Sequence, residues 1–268
     1  MDIDGNNKKC YYVGTNEVNY RRDNMDIKNS MSNGLIEDWE ATEEIIKYIY
    51  KNRLMVDSKE YPLLCGEPSF NTTTHREKFT ELAFEKFEVP AFFISKNGVL
   101  SSFASGKSNA LVVDCGGGVT CITPVHDGYA LQKCIIKSSL AGNLLTEEYK
   151  KVLTEQKGIV IRPRYLIDSK KEIRHGEYEV RLKDFPLTTN SYKQFMLNQI
   201  IRDLKESVCR VSDTYFNDDY VKANVTIPTV SYELPDGSTI ELGADRFKIP
   251  ELLFNPDSLN VCVVKWFI

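Results

Sequence analysis

Three consecutive glycines, Gly116-Gly117-Gly118, stand between an apolar run that ends in an acid, Ala110-Leu111-Val112-Val113-Asp114, and a second run from Val119 to Val125. Asp127-Gly128 then separates that run from a third, Tyr129 to Ile136. A continuous apolar run of this length suits a fully buried strand. Asp-Gly between two such runs is a strong hairpin signal. The glycines therefore join strand to strand. That excludes a Walker A loop, which needs Gly-Lys-Ser/Thr opening a helix. It also excludes the dinucleotide fingerprint, because Cys121 stands where the third glycine belongs and a strand follows. What the turn does allow is a concavity of backbone N–H groups that phosphate oxygens can approach closely. Asp114 at the strand end can hold a magnesium ion through water, since Mg²⁺ takes few carboxylates and keeps its hydration shell. A plain tight turn and an acidic strand cap fit the same pattern.

Around this hairpin, helical and strand patterns alternate. Trp39, Ile46 and Ile49 predict an amphipathic helix from Glu37 to Lys51, and Tyr61 to Cys65 reads as a short buried strand. Thr74 with Glu77 reads as a capping box opening a helix whose Phe79, Leu82, Ala83 and Phe87 share one face. Pro90 stops it, and Ala91 to Ile94 reads as another strand, with a short helix over Val99 to Ala104. Leu140 to Gln156 and Tyr192 to Val211 read as helices, and Pro235-Asp236-Gly237 marks a second hairpin. Residues 1–34 are expected to be loops with one loose strand at Tyr11-Tyr12-Val13, and the charged stretch Lys170 to Glu179 a solvated insertion. The sum is a mixed-sheet α/β chain.

Composition removes several classes of function. Thirty-four Lys and Arg against 38 Asp and Glu leave a net charge of -4, which argues against a dedicated nucleic-acid binder. Seven cysteines include no CxxC pair, and His75, His126 and His175 lie far apart, so neither structural zinc nor Ser-His-Asp hydrolysis has a basis. Cys115 and Cys121 read as small buried residues in a reducing compartment. No apolar run reaches the roughly 18 residues of a membrane span. The acidic Met1-Asp2-Ile3-Asp4-Gly5 does not read as a signal peptide, so a soluble intracellular protein is expected.

The segment Val112-Val113-Asp114-Cys115-Gly116-Gly117-Gly118-Val119-Thr120, with Pro124-Val125-His126-Asp127-Gly128-Tyr129-Ala130-Leu131, resembles the second phosphate loop and following hairpin of the actin family. Further blocks resemble the family in the family's order. They are Asn33-Gly34-Leu35-Ile36-Glu37-Asp38-Trp39, Pro90-Ala91-Phe92-Phe93, Ala104-Ser105-Gly106-Lys107, Tyr232-Glu233-Leu234-Pro235-Asp236-Gly237 and Pro250-Glu251-Leu252-Leu253-Phe254. Within the family, Arg76-Glu77-Lys78-Phe79-Thr80-Glu81-Leu82, Lys137-Ser138-Ser139-Leu140-Ala141-Gly142 and Phe247-Lys248-Ile249-Pro250 are most like the nuclear actin-related subunit of chromatin-remodelling and histone-acetyltransferase complexes.

The resemblance implies an actin-like α/β fold of the actin/hexokinase/heat-shock ATPase superfamily, with an incomplete first half. Residues 1–106 would form part of the first half, including the small outer subdomain, and 107–257 the second half with the phosphate-loop hairpin. Residues 258–268 would be a divergent tail. It implies ATP and Mg as cofactors, with Asp114, Gly116, Gly117, Gly118 and Val119 around the phosphates and Asp114 toward the metal. Gly117 stands where actin has a second aspartate, which weakens the metal site. Arg202, Lys205 and Glu206 match residues that contact the sugar and base; without the resemblance they are solvated charges on a helix. Asn97 replaces the glutamine that orients the attacking water, and Cys121 replaces a histidine of that water's network. A shorter amide and a poor hydrogen-bonding thiol imply negligible ATPase activity and no catalytic residue, because positioning is most of phosphoryl-transfer catalysis.

The implied partners are a helical segment of a remodelling ATPase, actin and other complex subunits. Nucleic acid would be met only indirectly through the complex, no membrane is involved, and the location is the nucleus. The rival readings are a cytoskeletal actin-like ATP-binding protein, a more distant ATPase such as a sugar kinase, and a non-functional truncated gene product. The family's first phosphate loop and its final segment have no counterpart in the text, so the sequence reads as an incomplete gene model. An incomplete first half-sheet is then expected to expose apolar surface and unpaired strand edges.

Overall fold

The computed structural model describes residues 2–3, 9–174, 177–213, 216 and 227–256. The tail at 258–268 lies outside them. Two compact units emerge, one drawn from Met1–Ile27 with Asn143–Lys265 and the other from Lys28–Gly142. The boundary read at 106/107 falls inside the second of these. Among the described residues no helix is long and apolar enough to cross a membrane.

The chain begins with the short antiparallel pair β1 (Asp2–Ile3) and β2 (Lys9–Cys10), followed by the single turn α1 (Thr15–Val18). Tyr11-Tyr12-Val13 is irregular and not a strand, and the Tyr12 ring lies 3.8 Å under the Arg22 guanidinium.

In the Lys28–Gly142 unit, β3 (Met31–Ser32) and β4 (Leu35–Ile36) form a hairpin closed by Asn33 at φ +47° and Gly34 at φ +78°. Both are left-handed, as a type I′ turn requires. Next comes α2 (Trp39–Tyr48), capped by the Asp38 carboxylate, which accepts the Ala41 N–H at 2.9 Å. The strand β5 (Leu63–Glu67) pairs in parallel with β6 (Phe92–Lys96), and α3 (Thr73–Glu81) supplies the crossover that a parallel pair needs. Thr72 caps α3, not Thr74. Its hydroxyl accepts the His75 N–H at 3.3 Å because Thr72 is the last extended residue, with φ -95° and ψ 156°. Leu63, Phe79 and Phe92 pack on a core of Tyr50, Leu82, Ala83, Phe87 and Val89.

The helix α4 (Asn97–Ala104) follows β6 directly, and then an antiparallel sheet forms from β7 (Ala110–Cys115), β8 (Thr120–His126), β9 (Tyr129–Ala130) and β10 (Ile136–Ser138). Its order is β10-β8-β7, with β9 on β8. Gly98 sits so close to Thr123 that a Cβ would fall 2.7 Å from it, so α4 lies on the sheet and covers Cys121, Thr123 and Val125. Among the described residues nothing covers the opposite face. The expectation of a fully buried β7 is therefore not met: among those residues it is an edge strand, with Leu111 67% and Val113 60% exposed. Cys115, on that same outward face, is exposed as well, whereas Cys121 is buried as expected. A run of apolar residues reports affinity for a core but not whether this chain supplies the neighbours.

In the other unit, α5 (Gly142–Lys151) is prolonged by a wider turn over Val152–Gln156. The charged stretch is not a loop but a hairpin, β11 (Ile167–Arg174) with β12 (Glu177–Leu182), its charges outward on both faces of β11. The long helix α6 (Asn190–Val208) buries Tyr192, Ile201, Leu204 and Val208, while Val211 lies beyond its end and is exposed. The hairpin β13 (Val230–Glu233) and β14 (Thr239–Leu242) turns through Pro235-Asp236-Gly237, and α7 (Asp245–Glu251) follows.

Candidate functional site

The glycine turn closes on itself at one point only. The Gly116 N–H donates to Val119 O at 3.0 Å, and Gly116 O accepts the Gly142 N–H at 3.0 Å. The N–H groups of Gly117, Gly118 and Val119 meet no acceptor among the described residues. The free donors are thus shifted one residue along from the three glycines themselves. None of Gly116, Gly117 or Gly118 has a positive φ, so here glycine serves close approach and not a left-handed backbone. A Cβ on Gly116 would sit 3.3 Å from Val119 O. A Cβ on Gly118 would lie 3.7 Å from the Asn33 Cα, placing the turn beside the β3–β4 hairpin.

Asp114 is the penultimate residue of β7, opposite Cys121; it is exposed, and its carboxylate has no donor among the described residues. No group of three or more His, Cys, Asp or Glu among those residues is arranged to hold a metal. A single carboxylate beside free N–H donors fits the mode of Mg²⁺ binding in which phosphate oxygens and water fill the remaining positions. The residues present therefore fit a magnesium-bound phosphate group. The sequence reading missed the neighbours of the turn: Phe70 reaches within 3.0 Å of a Cβ on Gly34, and the Lys137 ammonium lies 4.9 Å over the Phe70 ring. The Asn33-Gly34 hairpin falls where residues 1–34 are expected to be loops with one loose strand, and nothing in its spacing connects it to the glycines 82 residues on.

Asn97 opens α4, and its Oδ1 lies directly over Gly66, where a Cβ would overlap it. Gly98, the next residue, touches Thr123, and the Cys121 Sγ is 3.6 Å from Thr123 Oγ1. Asn97 and Cys121 thus flank one helix–strand contact. In the other unit, Arg202, Lys205 and Glu206 share the last turns of α6. Arg202 Nε meets Glu206 Oε1 at 2.8 Å, and that ion pair holds the Glu206 carboxyl below the usual range. Lys205 Nζ donates to Thr146 Oγ1 on α5 at 2.9 Å. The phosphate set and this helical set belong to different units.

These features define an α/β protein carrying a strand–glycine turn–strand hairpin. The actin family's description, Actin, matches residues 2–262. Actin-related protein 4 of Arabidopsis thaliana is 51% identical over 245 residues, 91% of this chain and 54% of that protein. Actin-related protein 4 of Oryza sativa subsp. indica is 52% identical over 257 residues, 96% and 57% of the two chains. A Schizosaccharomyces pombe protein named "SWI/SNF and RSC complexes subunit arp42" is 36% identical over 267 residues, 95% of this chain and 62% of its own. The chain belongs to the actin family. It spans 54–57% of the length of its two plant relatives.

Proposed function

We propose that this chain is the actin-fold portion of a non-catalytic, actin-related subunit of a nuclear chromatin-remodelling or histone-acetyltransferase complex. The observation that carries the reading is the identity of 51–52% with two plant proteins named actin-related protein 4, sustained over more than nine-tenths of the chain. The name of the Schizosaccharomyces pombe relative supports a complex of the remodelling kind. Its partners are a helical segment of the remodelling ATPase, actin and neighbouring subunits, and its contact with nucleic acid runs through them.

The same reading assigns ATP with Mg to the glycine turn. Gly117, Gly118 and Val119 would donate to phosphate oxygens, Gly116 would hold the turn closed, and Asp114 would hold the metal through water. The metal would neutralise phosphate charge. Arg202, Lys205 and Glu206 would serve the sugar and base, with Lys205 and Glu206 leaving their present partners to do so. Asn97 and Cys121 are fitted for packing at the α4–β8 contact and poorly fitted to orient water, so hydrolysis is negligible.

Affinity purification of the tagged chain from nuclear extract tests the assembly: a remodelling ATPase and actin should be recovered together, and their absence overturns it. Equilibrium binding of labelled ATP with Mg tests the site, where Asp114→Asn should weaken binding about tenfold through loss of one charge-assisted contact. Turnover at the rate of a conventional actin would refute the non-catalytic assignment.

A further inference from the structure

Asp114, Cys121 and Lys137 form one row across the sheet, because Asp114 opposes Cys121 on β8 and Cys121 opposes Lys137 on β10. Directly opposed side chains share a face, so all three point to the side that carries α4. Cys121 is buried beneath that helix, while Asp114 and Lys137 are exposed to either side of it. Two strand spacings put their backbones about 10 Å apart. The glycine turn closes the same end of the sheet, since it joins the strands of Asp114 and Cys121. The Lys137 ammonium rests 4.9 Å over the Phe70 ring. A Cβ on Gly34 would lie 3.0 Å from that ring and 3.7 Å from a methyl of Val119, so the ring bridges the ammonium and the last free donor of the turn.

We propose that Lys137 is a phosphate-binding residue of the glycine turn, exchanging the Phe70 ring for a phosphate oxygen when ligand binds. This rests on the nucleotide reading above and gives its phosphates a side-chain cation from the same unit. Charge is the reason. Backbone N–H groups offer only partial charges, and the Asp114 carboxylate repels an anion unless a metal lies between them. Lysine meets phosphate as a point charge on a flexible four-carbon stem. Its resting contact is readily given up, because an exposed cation–π pair is weaker than a charge-assisted hydrogen bond to phosphate. Lys96, which precedes α4, is already committed. Its Nζ donates to Ser69 O at 3.2 Å, and it stands opposite the buried Glu67, whose carboxylate answers its charge.

Calorimetric titration of the full chain with ATP and Mg, and with inorganic pyrophosphate and Mg, tests the assignment. Lys137→Gln should weaken both about tenfold, as loss of one hydrogen bond to a charged group does. Its affinity should also fall less steeply with added NaCl than the parent's, because one exposed charge pair fewer is there to be screened. Lys137→Arg keeps the charge and should bind within about threefold of the parent. Phe70→Leu removes the resting place and should bind as tightly as the parent, or up to about fivefold tighter. Labelling of the parent with acetic anhydride reads the contact directly: ATP with Mg should protect Lys137 and leave the exposed Lys133 reactive. Unchanged affinity in Lys137→Gln, a Lys137→Arg as weak as Lys137→Gln, or labelling of Lys137 indifferent to ligand would each overturn the assignment while leaving the nucleotide site in place. A parent that binds neither ligand would overturn both.

Discussion

Arg162 Nη1 donates to Asp236 Oδ2 at 2.7 Å, and the carboxylate it meets is 2% exposed. The other oxygen, Oδ1, accepts from the Ser238 N–H at 3.1 Å and the Ser238 hydroxyl at 2.6 Å. Burial pushes this carboxyl up, but the Ser238 and Arg162 hydrogen bonds outweigh it and hold it below the usual range. A carboxyl depressed in the folded state stabilises the fold above its unfolded value of about 3.9. That contribution is lost as pH falls through the lower folded value. Asp236→Ala strands Arg162 and should cost about 2–4 kcal/mol, discounted from a fully buried pair because Arg162 is 37% exposed. Urea unfolding of parent and variant from pH 7 down to 2 checks both points: the gap should narrow below pH 4.

Gly237 in the same turn has φ +93°, and a Cβ there would fall 2.9 Å from the Tyr178 ring on β12. Two penalties coincide, one of backbone and one of space. Gly237→Ala should destabilise by about 1–3 kcal/mol. Tyr178→Ala in the same chain should recover part of that loss but not all, since the strained φ remains. Thermal unfolding of the double-mutant cycle measures the coupling. Full additivity would mean the ring does not press on the turn.

Thr189 caps α6 and also ties down the N-terminal segment: its hydroxyl accepts the Tyr192 N–H at 3.4 Å and donates to Met25 O at 2.5 Å. Met25 is itself 2% exposed. Thr189→Ala should cost about 1–2 kcal/mol, at the upper end for a cap. Hydrogen exchange should quicken at Asn24, whose N–H donates to Leu187 O, as well as in the first turn of α6. Thr189→Ser keeps both bonds and should stay close to the parent. If only the helix loosens, the hydroxyl serves as a cap alone.

What could be read without coordinates was what is local. Asp127-Gly128 and Pro235-Asp236-Gly237 encode their turns in adjacent residues, and both hairpins form. Three threonines in a row at 72–74 leave the cap ambiguous, because any of them can accept an N–H three residues on; the extended backbone at Thr72 decides it. The apolar run of β7 could not announce its own exposure, since burial depends on strands contributed from elsewhere. For the site, the glycine turn and Asp114 were legible as chemistry. That Gly116 spends its N–H inside the turn was not, because it depends on where Val119 O points. Arg202, Lys205 and Glu206 carry no signal of their own: an exposed i,i+4 ion pair is what any surface helix displays.

The cysteines offer a probe of the turn that needs no substitution. Cys115 precedes Gly116 and is exposed, as is Cys134, whereas Cys121 is buried beneath α4. Burial pushes the Cys209 thiol up to about 11, so at pH 8 only about a thousandth of it is the reactive thiolate. Among the described cysteines, Cys115 and Cys134 should therefore react first with a disulfide reagent, Cys10 and Cys65 should lag, and Cys121 and Cys209 should wait for unfolding. Adding ATP with Mg should slow Cys115 severalfold, because phosphate seated on the Gly117–Val119 donors crowds the neighbouring sulfur. Cys134 should be unaffected. Mass-spectrometric mapping of label against time checks this. Equal protection of both thiols would indicate a general tightening of the fold, and protection of neither would remove the glycine turn as the phosphate site.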